Sequence, residues 1–468
     1  MPLRTDHLSA AAADLAPVLT TDVTATSVTL HCTFSPGSSS RRLTCHGDEA
    51  TRRHPNHDTS AAGAQVRQSL PDPDGTWTVK LHVHRDGTWT ATAASGDVSE
   101  IILRPVIFNE QPVPLPPVDS AAATELADLW NTHAGDYEAS APAGDPDLEE
   151  LARALGQPVP PQLATLLRLV NGAGYAPGEG GGSPAREDSL TAGWSLLGTA
   201  EIAREHAMWS DLAAEGPYTD AAFDLGIPGA LQPRLVHPGW IPFAHDHSGN
   251  HLAIDTVPGP NGTAGQILEF GPDLVDGPFL HADSLLDFLQ GRRSPWPEDL
   301  RLDHRARPTD PRPLHVDDVP SSVQSLRLFG FSHIDGATLA QAPALKRIII
   351  RDTGTVDLTG LQDLPLQELS LQDIADVDLS PLAGHPTLRT VTVSGIGELR
   401  GADTLVSLPR LESLSCPAEG TDVEELAAHP RLHRVSFTRE MPLAEQVELC
   451  NRLRPAAPLT VHTASGSL

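Results

Sequence analysis

Aromatic residues are scarce, at 4% of 468 positions, and cysteine is scarcer still, with four in the whole chain. Cys32, Cys45, Cys416 and Cys450 are too few and too scattered for a disulfide scaffold, so apolar cores must hold the fold. No apolar run approaches the ~18 residues of a membrane span, and the first twenty residues carry acids without a continuous apolar stretch. The expectation is a cytoplasmic protein without membrane contact. Catalytic signatures are missing too: there is no H-E-x-x-H, no G-x-S-x-G and no G-x-x-x-x-G-K-[ST]. Positive charge is also in short supply. Lys and Arg total 32 against 61 Asp and Glu, for a net charge of −29. Residues 121–300 hold 26 acids and 7 Lys/Arg, or −19 of that total. Such a field repels nucleic acid and steers basic proteins toward the middle of the chain.

What is present reads as several domains, as the length requires. Residues 1–108 read as a small α+β domain. A helix over 1–18 precedes strands at Ser27–Phe34, Arg42–Cys45 and Glu100–Ile107, and the hairpin Trp77–His84/Thr88–Thr92 turns on Arg85-Asp86-Gly87. His31, His46, His54, His57, His82 and His84 join Cys32 and Cys45 here, and folding the first two strands together would bring Cys32 near Cys45. The spacing matches no zinc pattern, so no metal or cofactor is expected. Residues 109–120 read as a proline-rich linker. Residues 121–293 read as helices (Ala121–Ala134, Pro146–Leu155, Pro160–Val170), strands and a closing helix, with a Gly-rich acidic loop at Ala173–Asp188. Residues 294–320 form a charged junction.

Within 121–293, Trp240–Pro260 (WIPFAHDHSGNHLAIDTVPGP) gives two apolar runs around a polar turn, and Gln266–Phe270 adds a third. The pattern W-[IV]-P-F-A-x-D-x-x-G-N-x-L-x-x-D-x-x-P-G-x-x-G-x-x-G-Q-[IV] resembles the central signature of the SUKH superfamily, the Smi/Knr-type domains. The run from Leu148 to Gly172 resembles the opening of the same domain. His247 and Ser248 stand at turn positions where that family usually has Gly. The resemblance implies protein binding: bacterial members are largely immunity proteins that neutralise toxins, often nucleases, and fungal members are regulators of cell-wall synthesis.

From 321 to 468 the chain repeats. Val323–Leu328, Leu345–Ile350, Leu366–Leu371, Leu388–Val393, Leu411–Cys416 and Leu432–Phe437 follow L-x-x-L-x-L with apolar substitutes, at offsets of 22, 21, 22, 23 and 21. This is the leucine-rich-repeat pattern, with Leu443–Leu453 as a capping helix. The usual asparagine after each strand is replaced by Phe331, Thr353, Ile374, Ile396 and Glu419. The concave face would present Arg327, Arg347, Glu368, Thr390, Thr392 and Arg434.

The sequence thus predicts an α+β multidomain protein: an N-terminal α+β domain, a SUKH-like mixed α/β domain and a C-terminal leucine-rich-repeat solenoid. The expected function is non-enzymatic. The first reading is an immunity protein whose acidic middle domain covers a basic toxin domain; the alternative is a scaffold or regulator using its repeats. Glu179, Glu187, Asp188, Trp240, Phe243, Asp246, Asn250 and Asp255 are the candidate partner-binding residues. His245, Asp246, His247 and His251 crowd one turn with Asp255, but alternation along a strand argues against their converging. On this reading Asp246 and Asn250 close the turn, and Trp240 and Phe243 pack beneath it.

Overall fold

The computed structural model describes residues 2–21, 25–35, 38–47, 51–53, 58–96, 98, 101–104, 106, 108–134, 137–175, 194–215, 227–274, 277–292, 303–418, 422–438, 442–455 and 458–468. They form two compact units, residues 1–103 with 415–468, and residues 104–414.

In the first unit, alternating apolar residues of Ala25–Ser35 and Trp77–His84 face a helix, Thr5–Thr21, whose Leu8, Ala12, Leu15 and Val18 are buried against them. The six-stranded antiparallel sheet runs Val461–Ser467, Thr88–Ser95, Trp77–His84, Ala25–Ser35, Ser38–Gly47, Thr51–Arg53. Its outermost strand is the C-terminus of the chain, which the sequence reading had left with the repeats. Val461–Ser467 pairs with Thr88–Ala94 over seven residues. Of the expected strand Glu100–Ile107, the described residues form Ile101–Ile102, paired with the repeat strand Arg434–Phe437. Cys32 does not approach Cys45. The register sets Cys32 opposite Arg41 and Cys45 opposite Val28, four residues apart along the strand, or about 13 Å. Both thiols lie on the core face, and burial pushes Cys32 up to about 12. His82 and His84 lie on the other face, where no thiol can join them.

In the second unit, seven antiparallel strands run Phe279–Ala282, Ile267–Phe270, His251–Asp255, Trp240–His245, Ser195–Leu196, Ala173–Tyr175, Tyr137–Ala139. Both faces of the central hairpin are covered, which is why its run is apolar throughout. Ile241, Phe243, Leu252 and Ile254 pack with Leu126, Leu151, Leu163 and Phe288 from the helices on one side. Trp240, Ala253, Leu268 and Phe270 pack with Trp209 and Val236 on the other. The helices expected from Ala121 and Pro146 begin one residue earlier, with Asp119 and Gly144 at the N-cap positions. Gly156 closes its helix in the left-handed conformation, φ 66°. The proline-rich segment is extended but not a free linker. Val113 N–H donates to the Thr256 carbonyl at 2.7 Å, and Glu110 Oε2 lies 3.4 Å from His237 Nε2.

The repeat strands Asp303–Ala306, Ser325–Phe329, Arg347–Val356, Glu368–Asp378 and Thr390–Arg400 stack in parallel in that order. The first lies in the presumed junction. Asp303 opposes Ser325, one repeat earlier, without the leucines that would announce it. Where the asparagine ladder is missing, a row of left-handed residues turns the chain instead: Gly330 (φ 74°), Asp352 (53°), Asp373 (54°) and Gly395 (63°). After that corner the strand resumes, so Thr353 pairs with Ile374 and Ile374 with Ile396. At Gly395 a Cβ would meet the Asp373 carboxylate, which would have to move aside.

Within this same unit the mixed domain is tied to the repeats by buried charge. Glu412 receives Arg389 Nη2 at 2.9 Å and Arg234 Nη1 at 2.5 Å, and Arg389 Nη1 also donates to the Pro233 carbonyl at 3.2 Å.

Candidate functional site

The signature turn is built from its own polar residues. Asp246 Oδ1 accepts N–H from Ser248 (2.8 Å) and Asn250 (3.0 Å), and its Oδ2 accepts the Asn250 amide at 2.7 Å. That amide also reaches Asp273 Oδ2 at 3.0 Å. His247 sits in the left-handed region at φ 64°, and Gly249 follows at φ 104°. Histidine thus adopts the strained conformation that a glycine would take without cost. Asp255 organises the second turn: Oδ1 accepts Val257 N–H (2.9 Å) and Oδ2 accepts the Gln266 amide (2.8 Å). The carboxyl is fully buried, and burial pushes it up to about 7 against the pull of those donors.

Four of the candidate partner-binding residues are therefore internal. Trp240, Phe243, Asn250 and Asp255 expose 2%, 1%, 5% and 0% of their surface. They brace the two turns and the core and offer no docking surface in this conformation, while Asp246 is half-buried. Glu179, Glu187 and Asp188 lie outside the described residues. On the repeat face, Arg327 Nε lies 3.4 Å from Asp303 Oδ1, and the buried Arg347 lies 3.5 Å from Glu368. Thr390 and Thr392 continue those two rows. Arg434 is half-buried and belongs to the other unit.

The turn histidines do converge, contrary to the strand argument. His245 and His251 are opposed across the hairpin, and the left-handed backbone at His247 swings its ring back to 4.2 Å from His245, centroid to centroid. They meet a helix the sequence reading did not connect with them. Glu201, Arg204 and Glu205 of Thr199–Glu215 face them across a cleft of about 330 Å³, with Leu197 and Gly249 completing its wall. Glu201 and Glu205 stand four apart and share one helix face, a legible signal. What the sequence does not show is which strand that face meets.

The polar geometry inside the cleft is specific. Glu201 Oε2 accepts the Gly198 N–H at 2.9 Å, closing the helix N-terminus. Glu205 is held by longer contacts, to Arg204 at 3.3 Å and to His251 Nε2 at 3.5 Å. Burial lowers His251, partly opposed by Glu205, and lowers His245, with His247 adding like charge. Ser195 Oγ lies 2.9 Å from His247 Nε2, a contact that looks like an activated nucleophile. Ser195 is 2% exposed, however, and among the described residues no carboxylate orients His247. The arrangement suits recognition better than nucleophilic attack. Among the described residues no group of three His, Cys, Asp or Glu is arranged to hold a metal ion, and no helix is long and apolar enough to cross a membrane.

Comparison with known proteins agrees with this placement. The SMI1/KNR4 family (SUKH-1) matches residues 142–291. A KNR4/SMI1 homolog of Eremothecium gossypii is 48% identical over 64 residues, 14% of this chain and 10% of that protein. The cell wall biosynthesis/cell cycle regulator smi1 of Schizosaccharomyces pombe is 38% identical over 121 residues, 23% of each. The cell wall assembly regulator SMI1 of Saccharomyces cerevisiae is 47% identical over 62 residues, 13% of this chain and 12% of that protein. The chain thus spans between a tenth and a quarter of the length of these relatives. A solved internalin from Listeria monocytogenes is 22% identical, covering 28% of this chain and 46% of its own, with a TM-score of 0.19. The parallel register described above, rather than that likeness, establishes the repeats. Residues 142–291 are a SMI1/KNR4 family (SUKH-1) domain.

Proposed function

We propose that this chain is a non-catalytic interaction protein, a scaffold or regulator of the Smi/Knr type that engages a protein partner through its SUKH-1 domain. One observation carries the reading. The acids of the signature are consumed in building the turns, and what is left at the surface is a cleft of histidines and helix carboxylates with, among the described residues, no accessible nucleophile. The relatives named as cell wall regulators support the regulatory half of it. Toxin neutralisation is the narrower reading, and the −19 charge of residues 121–300 is what favours it.

The test is capture from the protein's own cells with the intact chain as bait at low and high salt, followed by calorimetry with each purified partner. The intact chain is required because residues 461–467 complete the N-terminal sheet. A salt-resistant partner without toxic activity is the expected result. A basic toxin released by salt would establish the immunity role instead. No partner that binds directly would end the interaction reading.

A further inference from the structure

We infer that the cleft between the helix Thr199–Glu215 and the Trp240–Asp255 hairpin is a receptor for one cationic side chain, arginine or lysine, of a protein partner. The inference deepens the interaction reading above and rests on it.

Among the described residues, no donor lies between His251 Nε2 and the Glu205 carboxylate. His251 Nδ1 lies 3.0 Å from the Gly249 carbonyl, which can only accept, so the ring proton sits on Nδ1. Nε2 of a neutral ring is then a lone pair, and it faces the Glu205 carboxylate at 3.5 Å. Two acceptors confront each other in a place where the His251 side chain is 6% exposed and the Glu205 side chain 19%. A second ring proton would resolve this, but burial disfavours the imidazolium and lowers His251. A guanidinium or ammonium resolves it at once, because its several N–H groups can serve the imidazole and the carboxylate together.

The rest of the cleft fits the same occupant. Glu201 supplies a second carboxylate one turn away, and Arg204, whose side chain is 66% exposed, is the cation already present, reaching Glu205 only at 3.3 Å. Leu197 and the imidazoles of His245 and His247 offer apolar and flat surface for an aliphatic stem and a planar head. A metal ion would require ring nitrogens and carboxylate oxygens converging at about 2.0–2.2 Å from one point, and among the described residues no such group exists.

The charged groups facing the site are Glu201, Arg204 and Glu205 from the helix and His245, Asp246, His247 and His251 from the hairpin. At neutral pH the buried rings are uncharged and the carboxylates dominate. Acidification adds positive charge to the cleft, so binding should weaken as pH falls.

The test uses the intact chain with labelled histidine rings, followed by NMR during titration with N-acetyl-arginine methylamide at pH 7.5 and pH 5. The expected result is saturable shifts of the His245, His247 and His251 rings with a millimolar Kd at pH 7.5, about tenfold weaker at pH 5 and in Glu205→Gln. Arg204→Ala should bind more tightly, because the competing cation is gone; this variant decides the matter if Glu205→Gln fails to fold. Three results would overturn the proposal: no saturable shift, affinity unchanged in both variants, or stoichiometric binding of Zn²⁺ alone at the same rings. If a captured partner binds wild type and Glu205→Gln equally, the cleft proposal fails while the interaction reading stands. If neither captures a partner, the interaction reading fails, and the arginine titration alone judges the cleft.

Discussion

The molecule houses its polar groups in two contrasting ways. In the N-terminal sheet, His46, His82 and Thr29 form a short chain on the half-exposed outer face: Thr29 Oγ1 lies 2.9 Å from His46 Nε2 and 2.7 Å from His82 Nδ1. His84 packs edge-on to His82 at 4.4 Å. These rings have one another for company, so burial first, and then the like charges of His84 and His46, push His82 down to about 4. In residues 104–414 the polar groups are walled in beside unlike partners: the His251 imidazole beside the Glu205 carboxylate, Glu412 between two guanidiniums, Asp255 among donors. A flat sheet face collects residue types by alternation alone. Opposed charges require two elements to meet.

The largest expected effect tests that difference directly. Glu412→Ala leaves Arg389 and Arg234 buried at 11% and 22% side-chain exposure without their carboxylate. It should destabilise the 104–414 unit by about 3–5 kcal/mol. Thr29→Val, which removes the link in the open histidine chain, should cost no more than about 1 kcal/mol. Urea unfolding of the intact variants, read by tryptophan fluorescence, compares them. Equal losses would mean that walling in the charge makes no difference.

The next effect is the pH dependence of stability, which should be weak in the 104–414 unit and one-sided in the N-terminal sheet. The Asp255 carboxyl is raised to about 7 from an ordinary 3.8. Its contribution is therefore full below about 4, declines as pH rises and is lost above 7, a change of a few kcal/mol at most. His237 in the same unit is lowered to about 4, chiefly by burial. Its contribution is full above 6.5 and lost as pH falls toward 4. Between about 4 and 6.5 the two contributions oppose each other, so the stability of the 104–414 unit should change little with pH there. In the N-terminal sheet His82 contributes only the acid-side loss. Asp255→Asn, neutral at every pH, should unmask the His237 contribution, so that the 104–414 unit gains stability as pH rises from 5 to 6.5. If the profile persists unchanged, Asp255 is not what opposes His237.

What the sequence revealed follows the same division. The repeats were legible because each strand buries Leu at fixed offsets, but the strand Asp303–Ala306 escaped notice because its positions carry His304 and Ala306. The corner after each repeat could not be read, because two aspartates share the left-handed role with two glycines. In the SUKH-1 domain the signature located the hairpin, and Asp246 and Asn250 close its turn as their side chains suggest. The cleft was missed for two physical reasons. His247 inverts the backbone, which breaks the alternation rule, and Glu205 arrives from a helix some forty residues earlier in the chain. The C-terminal strand was illegible for a related reason: Val461–Ser467 alternates as any edge strand would, and nothing local says that its partner is Thr88–Ala94.

The smallest effect is the sharpest discriminator, because the two histidine sets should move in opposite directions. Replacing His84 by Ala removes a like charge that lowers His82, so the His82 pKa should rise. Replacing Glu205 by Gln removes the anion that raises His251, so the His251 pKa should fall. Each change should be under about one pH unit, since burial is the larger cause at both sites and neither substitution alters it much. NMR titration of the ring resonances in the two variants measures both shifts. Movement in the same direction would show that desolvation alone governs the two sets, and the contrast between an open face of like groups and a cleft of opposite ones would lose its electrostatic content. Opposite movement would locate the partner-sensitive charge at Glu205, the carboxylate that an incoming cation would meet.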